Sequence, residues 1–173
     1  PEIWATGLRS PEGLVFDAKG QLWETEHGPR GGDELNLIKK GANYGWPVIS
    51  HGIDYRQAPI GDGEAARAGM EQPVYFWSPS VAVAGLDFYR GKSKAWAGSV
   101  FVGMLNGRGV TRLKLVDGKV VEEEVLLADR KLRIRDVRTG PDGSVYVLSD
   151  SGGTSVTVGP PATGQVIKIT PKN

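Results

Sequence analysis

The sequence predicts an all-β chain made of repeated antiparallel four-stranded sheets, and three observations lead there. Its apolar residues fall in short runs with a two-residue period, such as Gly13-Leu14-Val15-Phe16, Ser99-Val100-Phe101-Val102 and Ser144-Val145-Tyr146-Val147-Leu148. These runs are rich in Val and aromatics and are bounded by Gly, Pro and Asp, as strands are. About a fifth of the 173 residues are Gly (25) or Pro (11), enough for many turns but short of low-complexity composition. The third observation is a repeat: an apolar strand, a Gly-containing turn, a second apolar strand and then a third strand, found three times.

The first copy runs from Ser10 to Phe16, turns at Ala18-Lys19-Gly20, continues through Leu22-Trp23 and ends with Asp33 to Ile38. In the second, Gly85 to Tyr89 leads through Ala97-Gly98 to Val100 to Gly103, then Gly109 to Leu113. Asp136 to Gly140 opens the third, which turns at Pro141-Asp142-Gly143 and continues with Val145 to Val147 and Gly164 to Ile169. The second strands begin at Leu22, Val100 and Val145, spaced 78 and then 45 residues apart. The shorter spacing is about one propeller blade and the longer is a blade plus an insertion. That insertion, Asn43 to Pro79, holds Tyr44, Trp46, Tyr55, Tyr75, Phe76 and Trp77, and its length and aromatic content predict an ordered functional loop. Val120 to Leu127 reads as an edge strand paired with Arg112 to Leu115 across an Asp117-Gly118 turn. The expectation is one partial β-propeller over 1–173, roughly three blades. Because propellers close with about four to eight blades, the chain is expected to be part of a longer one or to pair with a second copy.

Composition removes several functions. With 21 basic against 20 acidic residues the net charge is +1, and no basic stripe offers the counterion release that nucleic-acid binding needs. The absence of Cys excludes disulfides, thiolate nucleophiles and Cys-ligated zinc. The opening Pro1 to Gly7 has neither a basic nor an apolar leader region, and no run of about 18 apolar residues occurs, so no membrane span is expected. His27 and His51 are the only histidines, too few for a three-His metal site.

Two segments carry chemistry. Glu24 to Glu34 is a polar loop between strands, in which Gly28 and Pro29 offer carbonyl oxygens and the carboxylates offer hard-oxygen donors of the kind calcium takes. A solvated turn is the alternative. In Arg133-Ile134-Arg135 the two-residue spacing puts both guanidiniums on one strand face, where they could clamp a polyanion such as a sugar phosphate or a carboxylated cofactor. The alternative is a solvated face paired to Asp136 and the Glu122 to Glu124 run. A weaker possibility uses Trp46, Tyr55 and Trp77 as sugar-stacking platforms.

Together these segments resemble a family. Gly7 to Leu14, Glu26 to Ile38, Asn43-Tyr44-Gly45-Trp46-Pro47 and Arg133 to Val137 are similar, in order, to the quinoprotein soluble glucose/aldose sugar dehydrogenases, also called glucose/sorbosone dehydrogenases. The resemblance covers essentially the whole chain and is most specific at Glu26 to Pro47. It implies the C-terminal half of a six-bladed propeller, periplasmic or secreted, that binds pyrroloquinoline quinone (PQQ) and calcium and oxidises the C1 hydroxyl of an aldose to the lactone. By the resemblance, Gly28 and Pro29 are carbonyl ligands of the cofactor calcium. Arg9, His27, Ser80, Arg133 and Arg135 are cofactor-pocket positions, and Asn106 stands where the family has a cofactor-contacting lysine. Asp33 supports the catalytic centre. Glu34 and Tyr44 match a second calcium site, with Ser50, Gly52 and Asp54 as further ligands. The family's catalytic histidine belongs to its other half, and His27 is not that residue. Leu8, Ser10 and Glu12 replace the family's His, Asn and Gln, and Val83-Ala84 its Pro-Ser. These departures favour a rival: a calcium-stabilised, non-catalytic scaffold.

Overall fold

A computed structural model of the chain describes residues 1–150 and 164–171. Among the described residues, eleven strands form three antiparallel sheets in meander order. The first contains β1 (Pro11–Phe16), β2 (Leu22–Glu26), β3 (Asp33–Ile38) and β4 (Tyr75–Trp77). The second contains β5 (Val83–Phe88), β6 (Ser99–Met104), β7 (Gly109–Val116) and β8 (Lys119–Leu126). In the third, β10 (Val145–Asp150) lies between β9 (Arg133–Thr139) and β11 (Gln165–Ile169). The one helical element among the described residues is a 3-10 turn at Ala128–Arg130. No helix there is long and apolar enough to cross a membrane.

The fold is therefore all-β, of the propeller class, with about three blades. Leu22, Val100 and Val145 all fall on the second strand of a sheet, as their repeat spacing requires. Asp117 and Gly118 both have positive φ, 49° and 74°, and close the β7–β8 hairpin; that backbone matches the twist of paired strands. One element of the insertion went unread: Tyr75–Trp77 is the fourth strand of the first sheet, pairing Asp33 with Trp77 and Leu35 with Tyr75.

The chain divides into two compact units, Pro1–Val83 and Ala84–Asn173. In the second unit the core is apolar: Trp96, Phe101, Val110, Ile134, Val137, Val145 and Val147 pack together, with Trp96 and Phe101 edge to face at 5.0 Å. Every residue of β6 is buried. In the first unit Leu35 and Trp77 are buried on one sheet face. The other face carries Glu24, Glu26, Glu34 and Asn36, cross-strand neighbours in the pairs Glu24 with Asn36 and Glu26 with Glu34.

The acidic run on β8 has a structural employer. Arg112, buried on β7, bonds Glu122, Glu124 (Nε to Oε2, 2.7 Å) and the Ser99 hydroxyl (3.1 Å). The alternative pairing of Arg133 and Arg135 with Asp136 and Glu122 to Glu124 is thus corrected, because the β7–β8 register gives Glu122 and Glu124 to Arg112 and Glu123 to the Thr111 hydroxyl, 3.1 Å away. Asp136 pairs with Arg138 at 2.7 Å.

Candidate functional site

The polar loop after β2 is held from several sides. Gly28 must be glycine, since a Cβ there would lie 2.1 Å from the Gly31 carbonyl oxygen. Gly31 and Gly32, with φ of 83° and 72°, reverse the chain into β3. Arg30 exchanges backbone bonds with Ile53 of the insertion (3.1 and 3.3 Å), which lays the 50–54 segment against the loop. Asp33, fully buried, accepts from the Gly28 amide at 3.0 Å, the Ser80 hydroxyl at 2.8 Å and the Ala82 amide at 2.6 Å.

Arg9 reaches the same loop. Its Nη1 donates to the His27 carbonyl at 2.9 Å and lies 3.4 Å from the Gly28 carbonyl, while its guanidinium sits 5.2 Å from the Trp46 ring centre. The Arg9 and Ser10 amides both donate to Glu26 Oε2. His27 is anchored through Nε2 to the Val83 carbonyl at 2.5 Å, with Nδ1 3.6 Å from Glu12. That bond fixes the ring as a structural element of the loop.

Beside the loop lies a cavity of about 20 Å³, lined by Arg9, Glu26, Glu34, Tyr44, Trp46 and Ser50 among others, room for one water-sized particle. Oxygen acceptors crowd this face of the sheet. The Asn36 amide nitrogen lies 3.2 Å from Glu24, 3.3 Å from Glu26 and 3.2 Å from Glu34, yet it has only two protons to give. Glu24 Oε1 and Asn36 Oδ1 are buried with no hydrogen-bond partner. Burial, reinforced by the Glu26 charge, pushes Glu24 up to about 9 and Glu34 up to about 7. Burial also raises Glu26, against the bonds it accepts from Arg9 and Ser10.

An excess of buried oxygen acceptors suits a hard cation. Among the described residues no three carboxylate or imidazole groups converge as a ready-made cage. A cation at Glu34 would therefore draw further oxygens from carbonyls and hydroxyls. Of the expected ligands there, Tyr44 and Ser50 line the cavity with Glu34. The Tyr44 hydroxyl is already committed, donating to Leu37 O at 2.6 Å and accepting from Lys39 N at 3.0 Å. Gly52 packs on Gly31 O, and Asp54 caps its own turn by accepting from Arg56 N at 2.7 Å. The structure does not place those two with Glu34 in the cavity.

In the second unit Arg133 and Arg135 are brought together by a residue the sequence reading missed. Asp150, at the end of β10, accepts from Arg133 Nε at 3.0 Å and from Arg135 Nε at 2.5 Å. Burial opposes the charge on Asp150, but the two arginine bonds outweigh it and hold its pKa below the usual carboxylate value. Asn106 is exposed in the β6–β7 turn. The three proposed stacking aromatics do not form one platform: Trp77 is buried edge to face with Tyr75 at 5.0 Å, Tyr55 is 65% exposed, and Trp46 lies under Arg9.

Repeated four-stranded antiparallel sheets in meander order, with a glycine-rich loop following the second strand of the first, define a protein of the β-propeller class. The family model for Glucose / Sorbosone dehydrogenase matches residues 1–158, and the chain belongs to that family. It is 43% identical to the aldose sugar dehydrogenase YliI of Escherichia coli (strain K12), over 99% of this chain and 44% of that protein. The crystal structure of the soluble aldose sugar dehydrogenase from E. coli, in the apo-form, aligns with TM-score 0.87 and 41% identity, covering 99% of this chain and 47% of that one. The PQQ-bound aldose sugar dehydrogenase of Streptomyces coelicolor aligns with TM-score 0.73 and 27% identity, over 96% and 44%. The chain spans less than half the length of these relatives.

Proposed function

We propose that the chain forms part of a PQQ- and calcium-dependent aldose sugar dehydrogenase that oxidises the C1 hydroxyl of an aldose to the lactone outside the cytoplasm, in the periplasm or as a secreted protein. The observation that carries this reading is the cavity that Glu26 and Glu34 line together with Gly28, on the sheet face that also buries Glu24 Oε1 and Asn36 Oδ1 without partners; a divalent cation suits such a concentration of oxygen acceptors. When bound, the quinone would supply the two-electron acceptor for the sugar hydride. Gly28 and Pro29 would hold one calcium through their carbonyls, and Glu34, with Tyr44 and Ser50, a second. Among the described residues each guanidinium of the Arg133 and Arg135 pair bonds Asp150 through Nε; the Nη edges suit ligand carboxylates in bidentate fashion. In the first unit Ser80 and His27 would contribute by fixing backbone, and in the second Asn106 is a further proposed cofactor-contact position.

Neither histidine is assigned as the base. The remaining blades would come from an N-terminal half or a second copy. Exposed apolar side chains on sheet faces support such a partner: Leu14 and Phe16 on β1 are 63% and 60% exposed, and Leu148 and Val166, paired across β10 and β11, are 44% and 72% exposed. Light scattering coupled to size exclusion tests the second copy, which a clean monomer would sink. Reconstitution with PQQ and calcium, followed by quinone absorbance and dye reduction with an aldose, tests the chemistry. Quinone binding should saturate at micromolar concentrations; none at tens of micromolar, roughly 6–7 kcal/mol of binding free energy, would leave the non-catalytic scaffold as the better account.

A further inference from the structure

Asp33 is completely buried, so it does not reach a ligand directly. Its carboxylate instead joins three stretches of the first unit: its own strand β3, the loop at Gly28, and the 80–82 segment. The contact with Gly28 has a directional consequence. In a trans peptide the N–H and C=O point opposite ways, and the His27–Gly28 peptide is held at both edges. Its N–H donates to Asp33 at 3.0 Å, and its carbonyl accepts from Arg9 Nη1 at 2.9 Å. The next peptide joins Gly28 to Pro29 and has no N–H with which to anchor itself. Its carbonyl takes its direction from the peptide before it and from Arg9 Nη1, 3.4 Å away.

The second arm of Asp33 works on a strained residue. Ala82 has φ of 52°, a left-handed conformation that costs a non-glycine residue about 1 kcal/mol. Its amide is secured by Asp33 Oδ2 at 2.6 Å and faces the Ser80 hydroxyl at 3.2 Å. Next to it, the Val83 carbonyl receives His27 Nε2. Loop 27–33 and segment 80–83 are thus fastened to each other twice.

We propose that Asp33 is a positioning residue: by holding the His27–Gly28 peptide and the Ser80–Ala82 segment, it sets the direction of the Gly28 carbonyl and the seat of the Arg9 guanidinium without touching a ligand. The link to cation binding rests on the proposed function, whereas the loop-holding role can be read without any ligand.

The test uses the full chain and its Asp33→Asn and Asp33→Glu variants. Amide exchange in 27–33 and 80–83 should accelerate about tenfold or more in Asp33→Asn, the loss of one charge-assisted hydrogen bond, while exchange in β6 stays unchanged. Calcium affinity, titrated with calcium alone, should weaken about tenfold by the same bond, with Asp33→Glu in between. Unchanged exchange at 27–33, or acceleration spread evenly over both units with calcium affinity of the folded protein intact, overturns the positioning role. If the loop responds as expected but the parent chain takes up no calcium, the positioning role stands and the calcium assignment fails. Should Asp33→Asn not fold, Ser80→Ala removes one partner and leaves the carboxylate; exchange at 80–83 should then rise a few-fold, and no change there would overturn the role.

Discussion

Strands β2 and β6 occupy the same place in their sheets, and they are buried with opposite chemistry. β6, Ser99–Met104, is buried along its whole length and feeds Phe101 into an apolar cluster. β2, Leu22–Glu26, is just as deeply covered at its end but buries Glu24 and Glu26. One repeat unit therefore serves two ends: in the second unit burial yields stability, and in the first it concentrates oxygen acceptors at a thermodynamic cost. At this strand position apolar packing and oxygen-acceptor chemistry are thus assigned to different sheets.

The strongest way to break this contrast is to truncate the apolar cluster. Phe101→Ala should cost about 3–5 kcal/mol in urea unfolding, and a loss below 1 kcal/mol would mean that the second unit is not where the stability lies. Next in size is the cation. Calcium at about a hundred times its dissociation constant should stabilise the chain by about 2.7 kcal/mol, read as a rise in melting temperature that EDTA reverses. Glu34→Gln should diminish the response by removing one of the two proposed sites, whereas Arg135→Ala should leave it intact.

A third test concerns pH. Glu24 and Glu34 have folded pKa values of about 9 and about 7, both above the ordinary 4.5. Raised carboxylate pKa values mean that the native state holds more protons than the unfolded chain, so stability from these groups is full below about pH 4.5 and declines as pH rises. Without calcium, unfolding free energy should fall between about pH 5 and 9 with a slope approaching 1.4 kcal/mol per pH unit for each titrating carboxylate. Glu24→Gln should flatten that slope, and a parent slope of zero would refute the acceptor crowding. The smallest effect belongs to the second unit: Gly118→Ala, at φ 74° with open space around it, should cost about 1 kcal/mol from backbone conformation alone.

These contrasts explain what could be read in advance. The three sheets were legible because a two-residue period and Gly-centred turns are local signals, and Asp117-Gly118 carries its hairpin in two residues. The burial of Glu24 and Glu26 was not legible, because Glu-Thr-Glu alternates as a solvated strand would. Part of what covers Glu26 lies far along the chain, in the insertion that brings Tyr44 and Ser50 against the cavity it lines. β4 escaped notice because three consecutive aromatics show no alternation. The common face of Arg133 and Arg135 followed from their spacing, but Asp150, the residue that holds them there, sits on another strand with nothing nearby to mark it.

That shared carboxylate has an entropic consequence. Free arginine side chains lose about 2 kcal/mol of rotamer freedom each when they are fixed, and for Arg133 and Arg135 much of that loss is incurred on folding, against Asp150, before any ligand arrives. A polyanion meeting them would face two forks already aimed, with a net charge of +1 across the trio, so association there would be an exchange of counter-ions on a stiff mount rather than the capture of two mobile cations.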